Sequence, residues 1–327
     1  MTFERPALSI VIPVFNGAAS IGELVSALEA LDVPGGHEIV LVNDGSPDDS
    51  LAVCRRLVAR AQVPITLVNL TQNYGEHNAV MAGLRVARGQ WIITMDDDLQ
   101  NPPNEVVRLL RHAQESGHDV VYTRYARKRH NSWRNLASRL SNRAADVLLH
   151  KPKGLYLSTF RCMTHFMAQA IVDYEGPFPY VDGLIMQVTQ NIGALEVEHL
   201  PRMAGRSNYT VRRLVRLWLN LFVNFSVMPL RISTLTGFAL SFAGIVAFAA
   251  VIIETMIHAT PAGWASLAAS VFLLSGVQLV MLGLIGEYLG KLFLTVNRKP
   301  QAVVRDIERS AGYAVEPARG ALVTPRH

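Results

Sequence analysis

The sequence predicts an α/β domain built on a mainly parallel sheet, followed by a pair of membrane-crossing helices. Three observations carry that prediction. Apolar runs of strand length alternate with stretches of helical spacing between Leu8 and Thr123. Two long apolar blocks lie near the C-terminus. The loops after the strands concentrate acidic and amide side chains with Gly and Pro.

The first strand is "LSIVIPV" (8–14), a continuous apolar run of the kind buried on both faces, and residues 18–31 follow with helical spacing. "EIVLV" (38–42) is a second strand and ends in "NDGSPDDS"; a helix is expected over 48–60. "ITLVNL" (65–70), a helix near 76–88, "WIITM" (91–95) and "DVVYT" (119–123) continue the alternation. Strands of this type, interleaved with helices, make a parallel sheet that binds ligands beyond its carboxyl ends. The loops expected there are "FNGAAS", "NDGSPD", "TQNYGEHN" and "DDDLQNPP".

Beyond Arg124 the chain turns basic, with a helix expected from about Ser132, and residues 150–210 are less regular. Residues 211–231 place Arg212, Arg213 and Arg216 among Leu, Trp and Phe, as an amphipathic helix in a membrane interface would. From Ile232 to Ile257 the only charge is Glu254, and from Ala265 to Gly286 there is none. Each block exceeds the ~20 residues needed to cross a bilayer core. The short turn His258–Gly263 makes them a hairpin, with spans at about 232–257 and 265–289. Arg212, Arg213, Arg216 and Arg231 precede the pair, Lys291, Arg298, Lys299 and Arg305 follow it, and the turn has neither Lys nor Arg. Both ends are therefore expected in the cytoplasm, with Glu287 near that side of the second span. The expected organisation is a cytoplasmic domain over 1–210, a juxtamembrane helix over 211–231, two spans within 232–290 and a cytoplasmic tail over 291–327, in a multi-pass inner-membrane protein. Two cysteines, Cys54 and Cys162, point to a reducing compartment. The net charge of +5 suits an anionic membrane surface; nucleic acid is not an expected partner.

The most informative stretch is "WIITMDDDLQNPP", where Asp96, Asp97 and Asp98 end an apolar strand. Like charges this close raise the cost of ionising together. A divalent cation, Mg²⁺ or Mn²⁺, relieves that cost, because carboxylates are hard oxygen ligands. If the chain stays extended, Asp96, Asp98 and Gln100 share one face and Asp97 points away. Pro102 and Pro103 then end the loop and start a helix. A solvated acidic turn is the plain alternative for this motif alone. Asp44, at the end of the second strand, is placed to reach a ribose or base.

With "VIPVFN", "NDGS" and the acids together, the chain resembles family 2 glycosyltransferases of the GT-A fold, the Rossmann-like fold of nucleotide-diphospho-sugar transferases. It has Phe15 where Tyr is usual, Asn43 where the first Asp often stands, and Gly17 where relatives often place a Glu. "NYGEHNAVMAGL", "DDDLQNPP" and the apolar blocks ending in "GLIGEYLGKLF" narrow the resemblance to the polyprenyl-phosphate branch, the group of dolichol-phosphate mannose synthase and the undecaprenyl-phosphate sugar transferases. The resemblance spans roughly residues 8–300.

It implies a membrane-bound, inverting enzyme that moves a sugar from a nucleotide-diphosphate sugar to a polyprenyl phosphate for cell-envelope glycans. By resemblance, Pro13, Phe15, Asp44 and Asp97 line the nucleotide site, and Asp98 and Gln100 ligate the metal with Asp96 beside it. Arg202 and Ser207, in "HLPRMAGRSNY", clamp the diphosphate, with Asn208 where the family has Lys. Arg134 and Ser138, four apart on one helix face, hold the acceptor phosphate, and Arg124 joins them. Asp96, Asp98 and Arg202 are thus the expected catalytic set. No general base is assigned, because a phosphate monoester with a second pKa of about 6 is already largely dianionic at neutral pH. His77 and His165 are read as structural or contact residues. "LSTFRCM" has Thr159 where relatives often have Asp, which implies a different sugar preference. Asp182 is a sugar-contact candidate, or else the N-cap of the helix that follows. Relatives can form tetramers, so a homo-oligomer is also implied.

Two rivals remain at this stage. A processive polysaccharide synthase would carry Q-x-x-R-W, which is absent here; a non-catalytic membrane scaffold is disfavoured by the intact acids. A dinucleotide-binding dehydrogenase would need G-x-G-x-x-G after the first strand, where "VIPVFNGAAS" stands instead.

Overall fold

Strand β1 (Leu8–Val14) runs through the middle of the sheet, with Leu8, Ile10, Ile12 and Val14 fully buried. Burial on that scale stabilises by roughly 1.5–3 kcal/mol per large aliphatic side chain. The computed structural model describes residues 5–125, 155–197, parts of 234–253, 263–297 and 300–311. These fall into two compact units, one formed by the chain up to Asn208 together with residues from Arg298 onward, the other by Tyr209–Asn297.

In the first unit, β2 (His37–Asn43), β3 (Ile65–Leu70) and β4 (Trp91–Thr94) join β1 in parallel. β5 (Val120–Tyr125) runs parallel to β7 (Ile192–Val197), and β6 (Arg161–Thr164) lies antiparallel between β4 and β5. β8 (Val304–Arg309) pairs antiparallel with β3, giving the order β7-β5-β6-β4-β1-β2-β3-β8. The β1 and β3 boundaries are those expected from the sequence. β4 stops one residue early, at Thr94, although the Met95 amide still bonds to Val11 O at 3.1 Å.

Helices cover both faces. α1 (Ile21–Glu29), α2 (Ser50–Arg60) and α4 (Asn104–Ser116) bury Leu24, Leu28, Cys54, Leu109 and Leu110 against the face carrying Leu8, Ile10 and Ile12. α3 (Glu76–Val86) covers the other face, where Gly83 leaves room for Val11 and Val42. α5 (His165–Val172) and α6 (Val181–Val188) pack with it. At the end of the sheet away from the carboxyl edge, buried Glu38 accepts from Ser9 Oγ at 2.6 Å and takes two bonds from the Arg88 guanidinium, at 2.6 and 2.9 Å.

β8 corrects the expected tail. Val304–Arg309, within that tail, join the first domain and complete its sheet. Their charges suit an edge strand: Arg55 pairs with Glu308 at 2.6 Å and with Asp306 at 3.5 Å. Asn43 Nδ2 donates to Asn69 Oδ1 and Asn69 Nδ2 to Asp306, so the amide at 43 is one rung of a polar ladder across β2, β3 and β8.

The second unit contains α7 (Trp264–Val296), which runs seven residues past the expected end at 289. At 1.5 Å per residue it is about 50 Å long, more than a bilayer core of roughly 30 Å. Its Leu274–Val296 part is long and apolar enough to cross a membrane, and Leu279, Val280 and Leu282 are exposed. Glu287 pairs with Lys291 one turn on, at 3.8 Å. A short apolar helix, Thr234–Gly244, places Gly237 near the Met281 side chain of α7. The juxtamembrane helix expected at 211–231 lies outside the described residues, as does much of the first expected span.

Candidate active site

Because β1–β5 and β7 all point the same way, their loops gather at one edge. β6 runs against them, so its first residues arrive at that same edge. Register places Arg161 opposite Thr94 of β4 and Tyr122 of β5, which brings Thr159 and Arg161 beside the acids that follow β4.

The loop after β1 is shaped by the loop after β2. The amides of Asn16, Gly17 and Ala18 donate to Ser46 Oγ (3.3 Å), Ser50 Oγ (2.9 Å) and Asp48 Oδ2 (3.2 Å). Asn16 takes a φ of +57°, an uncommon backbone state of the kind often held at functional loops. A Cβ at Gly17 would stand 2.2 Å from Asp97 Oδ2, so glycine here is the space that the Asp97 carboxyl occupies. Gly45, at φ +61°, lets the second loop press on the backbone of Gln72 and Asn73.

Asp97 points toward the end of β1, where its Oδ2 accepts from the Phe15 amide at 3.3 Å. Burial, with the charges of Asp96 and Asp98 adding to it, pushes its carboxyl up to about 7 against the lowering effect of that amide. Asp96 Oδ2 accepts from the Thr159 hydroxyl at 2.6 Å, and Thr94 Oγ1 ties down the Thr159 carbonyl at 2.6 Å. Asp98 Oδ1 accepts from the Gln100 amide at 3.2 Å. The alternation that put Asp96, Asp98 and Gln100 on one face does not extend that far. Leu99 sits at φ +60°, so the chain turns back before Gln100.

The donor set fits a hard divalent cation. Three adjacent carboxylates crowd one turn, and Asp97 shows what their mutual charge and burial do to ionisation. Among the described residues no three Asp, Glu, His or Cys side chains already converge on one point. One or two carboxylates, the Gln100 amide oxygen and substrate phosphate oxygens would make such a shell.

Beside the acids lies a buried polar cluster around Asp182, whose partners Arg161 and Tyr122 sequence reading missed. Arg161, only 2 % exposed, donates to Asp182 Oδ1, and the Tyr122 hydroxyl donates to the same oxygen at 2.8 Å. The guanidinium also lies 5.7 Å from the centre of the Tyr122 ring. Burial and the Asp182 charge push the Tyr122 and Tyr180 phenols up. Asp182 lies inside α6 rather than capping it; the residue before the helix is Tyr180. The Tyr180 ring meets His77 edge-on at 5.0 Å. Glu76, the first residue of α3, keeps an exposed face. Burial first, then Asp96, push its carboxyl to about 7. Nothing in "FRCMT" or "YGEHN" marks Arg161 or Glu76 as neighbours of the acids; only strand order does.

Of the other expected site residues, Pro13 is half-buried one residue before the end of β1, and Phe15 is exposed at the loop. Asp44 is 2 % exposed, with its oxygens accepting from the amides of Tyr74 (2.7 Å) and Gly75 (2.9 Å). It therefore ties the β3–α3 loop in place and offers a nucleoside little carboxylate surface. Arg124 is exposed near the end of β5 and pairs with Glu196 at 3.0 Å. Exposed pairs of this kind contribute about 0–1 kcal/mol, so the guanidinium gives up its partner at little cost. Arg134, Ser138, Arg202 and Ser207, with Asn208, lie outside the described residues.

An acid-bearing carboxyl edge on this mixed sheet is the GT-A type of α/β fold. The sequence model of Glycosyl transferase family 2 matches residues 9–171, and that of the GtrB C-terminal hairpin matches 228–292. Similar proteins include the undecaprenyl-phosphate 4-deoxy-4-formamido-L-arabinose transferases of Pseudomonas savastanoi pv. phaseolicola, 34 % identical over 97 % of this chain and 96 % of that protein, and of Pseudomonas aeruginosa, 34 % identical over 95 % and 93 %. Glucosyl-3-phosphoglycerate synthase from Mycobacterium tuberculosis, solved with Mn²⁺, uridine diphosphate and glucosyl-3-phosphoglycerate, shares the fold at 17 % identity, with a TM-score of 0.50 over 67 % of this chain and 78 % of that one. The chain belongs to the family 2 glycosyltransferases.

Proposed function

We propose that this glycosyltransferase moves a sugar from a nucleotide-diphosphate sugar to a polyprenyl phosphate, undecaprenyl phosphate in a bacterial envelope, at the cytoplasmic face of the inner membrane. The observation that carries this reading is Asp96–Asp98 at the carboxyl edge of the sheet, in a chain that also holds an apolar helix of membrane length. Relatives matched over nearly the whole chain are undecaprenyl-phosphate sugar transferases by name.

In this reading Phe15 and Asp97 line the nucleotide site with Pro13, while Asp44 keeps the β3–α3 loop beside it. Asp98 and Gln100, with Asp96 adjacent, hold Mg²⁺ or Mn²⁺, which when bound neutralises charge on the leaving diphosphate. Arg202 and Ser207 add the fixed cation and hydroxyl for the same group. Thr159 keeps Asp96 oriented, and Arg161 with Tyr122 keeps Asp182 oriented. Arg124, Arg134 and Ser138 hold the acceptor phosphate, whose oxygen attacks the anomeric carbon opposite the leaving group and inverts it. That oxygen is already anionic near neutral pH, so no side chain has to remove a proton.

Connectivity supports a hairpin. β7 precedes the apolar segment and β8 follows it, yet both belong to one sheet. If α7 crosses the bilayer once, the chain between Val197 and Trp264 crosses an odd number of times. One crossing near 232–257 meets that requirement, with the basic helix over 211–231 at the interface.

The test is transfer in detergent with Mg²⁺ or Mn²⁺, undecaprenyl phosphate and a panel of nucleotide sugars. The panel is led by a nucleotide-linked 4-deoxy-4-formamido-L-arabinose, and the lipid is read by mass spectrometry. A metal-dependent glycosyl phospholipid, lost in Asp98→Ala, is the expected result. Polymer or free sugar without a lipid product would overturn the reading.

A further inference from the structure

We propose that Gln301 is a positioning residue: its side-chain amide clamps the loop 173–180 and so sets where Tyr180 and Asp182 stand at the site. Gln301 lies between α7 and β8, five residues after Val296, and is 6 % exposed. Its Nε2 donates to the carbonyls of Tyr174 (2.6 Å) and Gly176 (2.9 Å). Its Oε1 accepts from Arg85 Nη2 at 2.8 Å, near the end of α3. Both amide hydrogens and the amide oxygen are thus engaged, which fixes the side chain in one orientation.

The clamped loop leaves α5 and enters α6. The same Arg85 nitrogen reaches the carbonyl of Val172, the last residue of α5, at 3.4 Å. On the far side of the loop stand Tyr180, edge-on to His77, and Asp182, bonded by Tyr122 and Arg161. Gln301 is itself anchored, because the Thr71 amide bonds to Val303 O at 3.0 Å and β8 continues from there along β3. A strand fixed to one edge of the sheet therefore holds, through one amide, the backbone that delivers two side chains to the acid-bearing edge. No role in binding or chemistry falls to Gln301, which acts through the loop. For transfer the inference rests on the proposed function; for the loop it stands alone.

Two variants test it in the full chain. Gln301→Met keeps length and loses every hydrogen bond. Gln301→Glu keeps the acceptor for Arg85 and loses the two donors to the loop. Hydrogen exchange in detergent, with no ligand added, is expected to rise at 174–184 in both variants. Gln301→Glu restores the Arg85 contact as an ion pair but turns a carboxylate oxygen toward the Tyr174 and Gly176 carbonyls, so the loop stays released. With the donor and lipid phosphate that wild type turns over, kcat is expected to fall roughly ten- to a hundredfold in both variants, the scale of a small misplacement of reacting groups. Recovery of kcat together with stability in Gln301→Glu would overturn the proposal and leave an ordinary anchoring role. So would unchanged exchange at Val181–Leu184 in either variant. If wild type transfers no sugar, the proposed function fails by itself, and the exchange result still decides whether the clamp exists.

Discussion

Replacing Arg161 with Met tests whether the floor of the site is held by a paired charge. Arg161 is 2 % exposed and Asp182 8 %, and the guanidinium donates to the same carboxylate oxygen that receives the Tyr122 hydroxyl. Met fills similar volume but leaves the carboxylate buried without its cation. Breaking a buried pair from one side costs about 3–5 kcal/mol, against a total of about 5–15 kcal/mol for a typical domain. For a domain near 200 residues this is a fall in Tm of roughly 6–20 °C. Tyr122→Phe removes one hydrogen bond to a charged group and should cost less, about 1.5–3 kcal/mol. The double variant Arg161→Met/Asp182→Leu leaves no orphaned charge and should regain most of the lost stability while staying inactive in transfer. Thermal unfolding of the four proteins in one detergent measures this. An Arg161→Met Tm within about 2 °C of wild type, or a double variant no more stable than the single, would refute the reasoning.

Thr159→Val should leave Tm nearly unchanged and lower kcat about tenfold, since it frees Asp96 from a 2.6 Å bond without opening a cavity; steady-state transfer kinetics would check it. Burial holds His37 below its ordinary pKa, with its Nε2 against Leu28 O at 2.9 Å. The unfolded chain then takes up the proton first, so this contribution is complete above about pH 6.5 and is lost as pH falls below it toward the folded value. Tm measured from about pH 7 to pH 5 should therefore fall less steeply in His37→Gln. Burial pushes the Cys54 thiol up to about 12 and that of Cys162 higher still, so neither should react with a thiol reagent near pH 8 until denaturant is added.

What sequence reading reached, and what it did not, follows from how each element is stabilised. β1 and β3 are apolar on both faces, and a run of that kind has one stable fate beside amphipathic helices. β8 reads as a charged tail because "VRDIER" owes its place to pairing with β3 and to Arg55, and no local pattern encodes either partner. The acids were legible as a charge problem. Their geometry was not, because Leu99 adopts a positive φ that leucine does not advertise. Asp182 stood out in its aromatic loop, but its partner Arg161 lies in "RCMT", four residues that join the site only because β6 is inserted backwards between β4 and β5.

The placement of β8 also sets a timetable for synthesis. β3 has one neighbour, β2, until residues 304–309 leave the ribosome, and by then the long apolar helix has already been made. At 5–20 residues per second, the 234 residues from Leu70 to Val304 take roughly 10–50 s. For that interval the nascent domain carries an open strand edge, the feature that invites pairing with other chains. Synthesis of the apolar segment and closure of the sheet therefore come in a fixed order. A fragment cut before residue 300 would keep the open edge permanently, and it should be recovered as aggregate where the full chain is recovered folded.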